Sequence, residues 1–181
     1  MPPPSVRLQV RELGDPILRS VARPVENVQD PEIQELINDM IEKCIEIDGV
    51  GIAAPQVGKP LRLFIIASRP SPRYPQAPHM EPTAIINPSI IKTCPTEVSA
   101  WEGCLSIPGL RAQVVRPSWV ETAYIDRNGE CRVTTFKGFI ARIFQHEFDH
   151  LEGKLFVDRA DPLEMVTEKE YQRILKENPP V

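Results

Sequence analysis

The residues with the clearest chemical potential are two histidines and a glutamate within one short segment, HEFDH at 146–150. An α-helix turns about 100° per residue, so side chains four positions apart are separated by only ~40° around its axis. His146 and His150 can therefore reach one metal ion, and Glu147 lies beside them without having to bind it. This H-E-x-x-H pattern on a helix is typical of metallohydrolases, in which the glutamate acts as general base.

The apolar neighbours of this motif favour a metal site over a solvent-exposed, charged helix face. Phe144, Phe148 and Leu151 recur at helical spacing around it, so we expect the helix to pack against other elements and the motif to be partly buried. His and Glu side chains without partners would be costly in such a place. A bound metal would compensate for that cost.

A catalytic metal site of this type needs a third protein ligand and an open position for water. No histidine follows His150, which excludes the subclass whose third ligand is another histidine shortly downstream. The carboxylates Glu152, Asp158 and Asp161 are candidates, and so is a cysteine from elsewhere in the chain. The motif alone leaves this choice open.

Helices and short strands must position the motif. Residues 139–152 have apolar side chains at helical spacing, with Gly153 as a C-terminal cap. An amphipathic helix begins at Asp30-Pro31 and ends near residue 48, and a last helix covers 162–177. Strands are predicted at 61–67, 84–91, 98–101 and 112–115, and a hairpin with an Asn-Gly turn at 119–126 and 131–136.

Two segments are predicted to lack regular structure. Residues 49–58 form a Gly/Ala-rich connection, and residues 68–82, with five prolines, form an extended surface loop. The whole pattern predicts an α+β fold. Mostly antiparallel short strands would pack around a central metal-binding helix, with an N-terminal and a C-terminal helix outside them.

Length and composition exclude several other classes of protein. The chain has 181 residues, of which 41% are hydrophobic and 25% charged, so we expect one globular domain over 1–181. A net charge of −4 argues against a nucleic-acid or membrane-surface binder. The four cysteines form no CxxC pair and no secretion signal is evident. We therefore expect reduced thiols in the cytoplasm, or in an organellar matrix or stroma if a presequence has been removed.

Two further segments, together with the histidine motif, resemble the peptide deformylases. The motifs of that family are G-x-G-x-A-A-x-Q, E-G-C-x-S and H-E-x-D-H. This sequence has GVGIAAPQ at 49–56, EGCLS at 102–106 and HEFDH at 146–150, in the same order. The resemblance runs from about residue 14 to residue 158. It implies a metal-dependent hydrolase that removes the formyl group from the N-terminal formylmethionine of newly made polypeptides and releases formate.

The resemblance implies roles for individual residues. The metal ligands that it implies are Cys104, His146 and His150. Glu147 would take a proton from the attacking water and deliver it to the leaving amine. The backbone N–H of Leu105 and the side-chain amide of Gln56 would donate hydrogen bonds to the oxyanion.

The resemblance also implies substrate-binding positions. Gly51 would contact the peptide backbone, Val50 would line the pocket for the methionine side chain, and Gly103 would let the backbone approach closely. Arg142 stands where many bacterial members have an aliphatic pocket residue, so the shape of the pocket is left open.

Three further charged residues, Glu102, Arg116 and Asp149, are candidates for orienting the metal ligands. For Arg116, an exposed position on a strand is an equally good interpretation.

The implied metal is one divalent ion, Fe²⁺ natively, with Zn²⁺, Ni²⁺ or Co²⁺ as replacements that suit the same ligands. The implied partners are N-formylmethionyl nascent peptides close to the ribosome. Residues 161–181 contain five acidic and three basic side chains. We therefore expect no basic C-terminal helix docked on ribosomal RNA, no direct nucleic-acid binding and no membrane partner.

Two rival functions remain for the same residues. One is an endopeptidase that cuts internal peptide bonds, with a carboxylate as third ligand. The other is a non-enzymatic module with a structural metal, which would need a fourth ligand such as His79, Cys94 or a distant carboxylate.

Overall fold

A computed structural model describes residues 8–178. This part of the chain contains three α-helices and eight strands. The helices are α1 (Pro31–Glu46), α2 (Gly138–Leu151) and α3 (Glu168–Glu177). The strands are β1 (Gly51–Ala53), β2 (Leu63–Ile66), β3 (Thr83–Thr93), β4 (Glu97–Cys104), β5 (Ile107–Pro117), β6 (Trp119–Ile125), β7 (Cys131–Lys137) and β8 (Val166–Thr167).

The strands form two sheets in which every pairing is antiparallel. Five strands lie in the order β1-β2-β3-β6-β7 and three in the order β4-β5-β8. Helix α2 lies between the first sheet and the inner face of β4 and β5, and it carries the histidine motif. The predicted α+β class is thereby confirmed. No helix of the described residues is long and apolar enough to cross a membrane.

Strand β2 explains why the five-stranded sheet is covered on both faces. All its residues are buried, and alternate side chains of a strand point to opposite faces. Phe64 packs edge-on against Phe144 of α2, with ring centroids 5.2 Å apart. On the other face, Leu63 and Ile65 belong to the cluster that contains the apolar side of α1. The sheet therefore fixes α2 from one side.

Helix α1 begins where the sequence predicts. The Asp30 carboxylate accepts a hydrogen bond from the N–H of Glu32, and Pro31 occupies the first turn, where its missing N–H costs nothing. The hairpin predicted around the Asn-Gly turn is confirmed as well, since β6 pairs with β7 from Trp119↔Lys137 to Ile125↔Cys131.

Several predicted boundaries are wrong. The strands predicted at 98–101 and 112–115 extend over Glu97–Cys104 and Ile107–Pro117, because they pair with each other along this length. The connection at 49–58 contains β1, because its backbone pairs with β2 from Gly51↔Ile66 to Ala53↔Phe64. The last helix starts at Glu168, not at 162. Val166 and Thr167 instead pair with β5, and the Thr167 hydroxyl accepts a hydrogen bond from the N–H of Glu170 as the N-cap. All of these errors concern strand pairing, which local spacing does not encode.

The proline-rich segment 68–82 has no helix or strand, as predicted. It is nevertheless held down at several points. The buried Ser68 donates its hydroxyl hydrogen to the carbonyl of Pro78 at 2.6 Å, and the N–H of Met80 bonds the carbonyl of Ser68. Tyr74 packs on Phe139 of α2, with ring centroids 5.5 Å apart. The segment is therefore packed against the rest of the protein and does not extend freely into solvent.

Candidate active site

Cys104, His146 and His150 converge although 42 residues separate the cysteine from the first histidine. Cys104 ends β4 two positions after Glu102, which bonds His146 of α2, so strand alternation places both side chains on the face towards α2. The Sγ atom lies 3.4 Å from Nε2 of His150, and one ligand atom from each of the three residues falls within 4.8 Å of the others. A thiolate and two imidazoles at these distances suit a divalent transition metal.

The protonation state of His150 also fits a metal ligand. Burial and the neighbouring His146 hold the pKa of His150 well below its ordinary value. The imidazole therefore stays neutral, as metal binding requires. Its Nδ1 atom is buried and makes no hydrogen bond within the described part of the chain.

The carboxylates considered as third ligand are engaged elsewhere. Glu152 accepts a hydrogen bond from Arg62 at 2.6 Å, and Asp158 pairs with Arg19. Asp161 caps the short helix that begins at 162. The structure therefore favours Cys104 among the third ligands that the motif left open.

Glu147 is fully inside the protein, next to the cluster of ligands. Burial is the main cause that raises its pKa to about 7. Its Oε2 atom has no hydrogen-bond partner among the described residues. A carboxylate with a pKa near neutrality and a free oxygen is suited to exchange a proton with a reactant.

The side-chain amide nitrogen of Gln56 is directed towards Cys104 and the pocket beside it. Its Oε1 accepts a hydrogen bond from the N–H of Ala53 at 2.8 Å, so its Nε2 is turned the other way. That nitrogen lies 3.1 Å from the Ser106 hydroxyl and 3.5 Å from the Cys104 thiol. Leu105, between those two residues, lines the same pocket.

The pocket over the site is lined by all four residues expected to bind substrate: Val50, Gly51, Gly103 and Arg142. A methyl group on Gly51 would lie 2.6 Å from Oε1 of Glu147, so only glycine lets β1 pass this close to the carboxylate. The Arg142 guanidinium donates to Oε1 of Glu102 at 2.8 Å and to the carbonyls of Val98 and Val114. Its charge is therefore paired within the protein, although the residue lines the pocket.

Behind the ligands lies a buried network of charges. Glu102 accepts from Nδ1 of His146 at 2.9 Å, which leaves Nε2 of that ring free to face the thiol. Arg116 donates to Glu102 at 2.6 Å and to Asp149 at 2.8 Å. Burial by itself would raise the pKa of Glu102. The hydrogen bonds from His146 and Arg116 together outweigh burial and hold this pKa well below the ordinary value. Such partners fix the orientation and tautomer of a metal-binding histidine.

Two features of this network differ from or extend the sequence-based expectations. Arg116 is only 2% exposed, so the alternative of a surface position is wrong. Arg159 was not expected at all, yet it forms a forked pair with Asp149 at 2.6 and 2.7 Å. No local pattern marks Arg159, because its partner is reached only through the turn that follows α2.

Fold and site together are typical of one class of protein, the α+β metal-dependent hydrolases, because Cys104, His146 and His150 could hold a metal ion beside a buried carboxylate. A family model described as polypeptide deformylase matches residues 7–166. The chain belongs to this family. Its members remove the N-formyl group from the N-terminal methionine of nascent peptides in a metal-dependent reaction.

Individual relatives agree with this assignment. Peptide deformylase 2 of Nostoc sp. is 52% identical over 172 residues, which cover 94% of this chain and 96% of the relative. A class I type b peptide deformylase from Acinetobacter baumannii, solved with Met-Ala-Ser bound, superposes with a TM-score of 0.83 at 44% identity. That match covers 86% of this chain and 99% of the other. A peptide deformylase from Synechococcus elongatus in complex with actinonin is 37% identical, with a TM-score of 0.76, and covers 94% of this chain and 85% of that one.

Proposed function

We propose that this chain hydrolyses the formyl amide of formylmethionyl peptides with Glu147 as general base and with Cys104, His146 and His150 as metal ligands. The convergence of those three ligands beside a buried carboxylate carries the proposal. A divalent ion in this ligand set would lower the pKa of a bound water and so supply a nucleophile near neutral pH. Every other step falls to side chains and backbone of the protein.

Glu147 accepts the proton of the water as it attacks the formyl carbon, and then delivers the same proton to the departing amine. Its pKa of about 7 suits both transfers, because the group is neither locked in the charged form nor locked in the neutral form at physiological pH. The products are formate and a peptide with a free N-terminal methionine.

The negative charge that develops on the formyl oxygen needs donors. Gln56 supplies Nε2, held towards the site by the hydrogen bond between its Oε1 and Ala53. The backbone N–H of Leu105 is the second donor. An amide is suited to this role because it donates without a charge that would repel the cationic metal.

The peptide lies between two strand edges. Strands β1 and β4 each pair on one side only within the described residues. Gly51 on β1 and Gly103 on β4 both line the pocket. Their missing side chains leave room for Glu147 and Arg111 respectively, so the strand backbones can lie this close to the site. The methionine side chain enters beside Val50, with the Arg142 stem as part of its wall.

The native metal in this proposal is Fe²⁺, and Zn²⁺, Ni²⁺ or Co²⁺ replace it in preparations. The ligand set accommodates all four ions. The test is metal analysis of protein purified without oxygen, paired with an assay of formate release. Peroxide should inactivate the Fe²⁺ form faster than the Ni²⁺ form, with oxidation mapped to Cys104. A different metal in active protein purified without oxygen would contradict the assignment of Fe²⁺.

The proposed partners are N-formylmethionyl nascent peptides near the ribosome, in the cytoplasm or in the matrix or stroma of an organelle. Helix α3 carries both acidic and basic side chains, as in the ion pairs of Arg173 with Glu170 and Glu177. It therefore lacks the basic face that docking on ribosomal RNA would need, and no membrane or nucleic-acid partner is proposed. We propose one catalytic domain over residues 1–181, since all three motifs contribute to one site.

One assay separates this function from its rivals. The purified protein is given formylated peptides and, separately, casein as a substrate with internal peptide bonds. Formate release without casein cleavage is the expected result. Casein cleavage would favour an endopeptidase, and neither activity in metal-loaded protein would favour a structural metal. Against that last possibility, His79 is exposed beside Glu81, and neither it nor Cys94 joins the ligand group.

A further inference from the structure

The two proposed oxyanion donors come from different sheets. Gln56 follows β1, which belongs to the five-stranded sheet, and Leu105 lies in the turn between β4 and β5 of the three-stranded sheet. An oxyanion hole works only when both of its donors are held ~3 Å from one oxygen atom. The distance between these two segments is therefore a quantity that the fold has to fix.

Residues 8–15, which we call the N-terminal arm, bond both segments through their backbone. The N–H of Arg11 donates to the carbonyl of Gln56 at 2.7 Å, and the N–H of Leu13 donates to the carbonyl of Ser106 at 2.8 Å. Gln56 is 1% exposed and Ser106 is fully buried, so water cannot readily replace either donor. The arm therefore joins the segment of one oxyanion donor to the segment of the other.

A tight turn fixes the end of the arm. The N–H of Asp15 donates to the carbonyl of Glu12 at 3.0 Å, which closes a turn over 12–15. Gly14, its third residue, has a φ of +112°, and Leu13, its second, is not among the residues of positive φ. This combination is that of a type II turn. The side chain of Leu13 is exposed, so the arm contributes its backbone and not a side chain at this point.

We propose that the N-terminal arm sets the distance between the two oxyanion donors, and that Leu13 is a positioning residue that acts through its backbone N–H. This inference rests on the proposed function, in which Gln56 and Leu105 are those donors. Leu13 does not line the pocket and acts only through Ser106, the neighbour of Leu105.

Ser106 gives this one hydrogen bond an influence on both donors. The Nε2 atom of Gln56 lies 3.1 Å from the Ser106 hydroxyl, which takes one of its two hydrogens. The other hydrogen, on the side of Cys104, remains for the formyl oxygen. A shift of Ser106 would therefore move the N–H of Leu105 and turn the amide of Gln56 together. Because both contacts strengthen in the transition state, kcat should fall with little change in KM.

The first variant is Leu13→Pro, which removes the N–H but keeps the turn, because proline is favoured at the second position of a type II turn. With formyl-Met-Ala amide we expect kcat to fall about 10-fold, less than the ~10²–10³-fold that loss of a whole donor costs. KM, metal content and inhibition by the product Met-Ala amide, which has no formyl oxygen, should stay unchanged. Leu13→Ala is the matched control, since it keeps the N–H and loses only an exposed side chain.

Combination with Gln56→Leu separates positioning from a general effect on the structure. With one donor removed, the formyl oxygen can follow the remaining one, and no distance between donors is left to set. Leu13→Pro should then lower kcat by about 3-fold or less in the Gln56→Leu background, since coupled residues are not additive. A purely structural role would give the same loss in both backgrounds.

A second variant covers the case in which Leu13→Pro does not fold. Replacement of Leu13 by its α-hydroxy acid counterpart exchanges only the N–H for an ester oxygen and should give the same results. Normal kcat in folded protein without this N–H, a change confined to KM, an equal loss in Leu13→Ala, a matching loss of metal, or an undiminished loss with Gln56→Leu would each overturn the proposal. Failure of the underlying function looks different, because the unaltered protein would then release no formate.

Discussion

Two buried arginines on β5, Arg116 and Arg111, differ in the face of the strand they occupy and in the burial of their partners. Five positions separate them, so they point to opposite faces of β5. Arg116 faces α2 and pairs with two carboxylates, Glu102 and Asp149, that are themselves buried. Arg111 lies on the opposite face, between the rings of Tyr74 and Tyr171. Its one carboxylate partner is Glu168, whose side chain is 42% exposed.

The difference shows how surroundings decide what an arginine contributes. Around Arg116 all partners are inside the protein, so removing one leaves a buried charge unpaired, at a cost of ~3–5 kcal/mol. Around Arg111 the carboxylate can return to water, and the rings keep their apolar contacts. Arg116 therefore supports the geometry of the proposed metal ligands, and Arg111 supports the position of a loop and a helix.

The largest loss of activity should come from a change on the side of β5 that faces α2, at Glu147. Glu147→Gln preserves size but cannot accept the proton, so turnover should fall by ~10²–10⁴-fold. Metal content, measured by elemental analysis, should stay the same. Glu164→Gln, at an exposed position, is the control. Near-normal kcat in metal-loaded Glu147→Gln would rule out its role as the base.

Gln56→Leu should have the next largest effect, ~10²–10³-fold in kcat, because its amide is directed at charge that exists only in the transition state. Steady-state kinetics with a short formylated peptide, formyl-Met-Ala amide, separate kcat from KM. A change confined to KM would make Gln56 a ground-state binding residue.

A pair of glycines distinguishes the two sides directly. Gly51→Ala places a methyl group against the Glu147 carboxylate, and displacement of that group by about 1 Å can cost ~10²-fold in kcat. Gly103→Ala instead presses on the Arg111 side chain and not on the proposed general base, so it should lower kcat less than Gly51→Ala does. If the two variants behave alike, the contrast between the two sides is wrong.

Metal affinity should respond to the inner network alone. Glu102→Gln weakens the hydrogen bond to Nδ1 of His146, and loss of such a partner typically lowers affinity ~10–100-fold. Competition with a chelator measures it. Arg111→Met, on the outer side, should retain the affinity of the unaltered protein. An equal loss of metal affinity in Arg111→Met would mean that Arg111 and its partners also support the proposed ligands.

The smallest effect concerns the pH dependence of the outer pair. Burial opposes ionisation of Glu168, but hydrogen bonds from Arg111 and Gln172 hold its pKa below the ordinary value of 4.5. A depressed carboxylate pKa stabilises the fold above the unfolded-state pKa, and this stability is lost as pH falls through the folded-state pKa. Because the carboxylate is half-exposed, Glu168→Gln should lower the free energy of unfolding at pH 7 by less than about 1 kcal/mol.

Urea unfolding at pH 7 and at pH 3 checks the sign. The difference between Glu168→Gln and the unaltered protein should shrink at the lower pH, where the unaltered carboxylate becomes protonated too. A difference that grows on acidification would contradict the pairing with Arg111.

The sequence by itself determined the features that depend on neighbours along the chain. Helical spacing placed His146 and His150 on one face of α2, Asp30-Pro31 started α1, and Asn128-Gly129 closed the hairpin. These features are local, because caps, turns and helical faces are set within a few residues. Cys104 entered through the family motif that surrounds it, and nothing in the spacing alone selected it over a carboxylate.

Only the tertiary structure decided the rest. It brought Cys104 to within 3.4 Å of His150, buried Arg116 between two carboxylates, and covered Arg111 with a loop and a helix from distant parts of the chain. It also turned Val166 and Thr167 into a strand, because β5 offered them a free edge. Pairing and burial depend on which surfaces meet after folding, and a residue's type does not carry that information. Arginine is mostly found at protein surfaces, so sequence alone does not predict that Arg111 and Arg116 are buried.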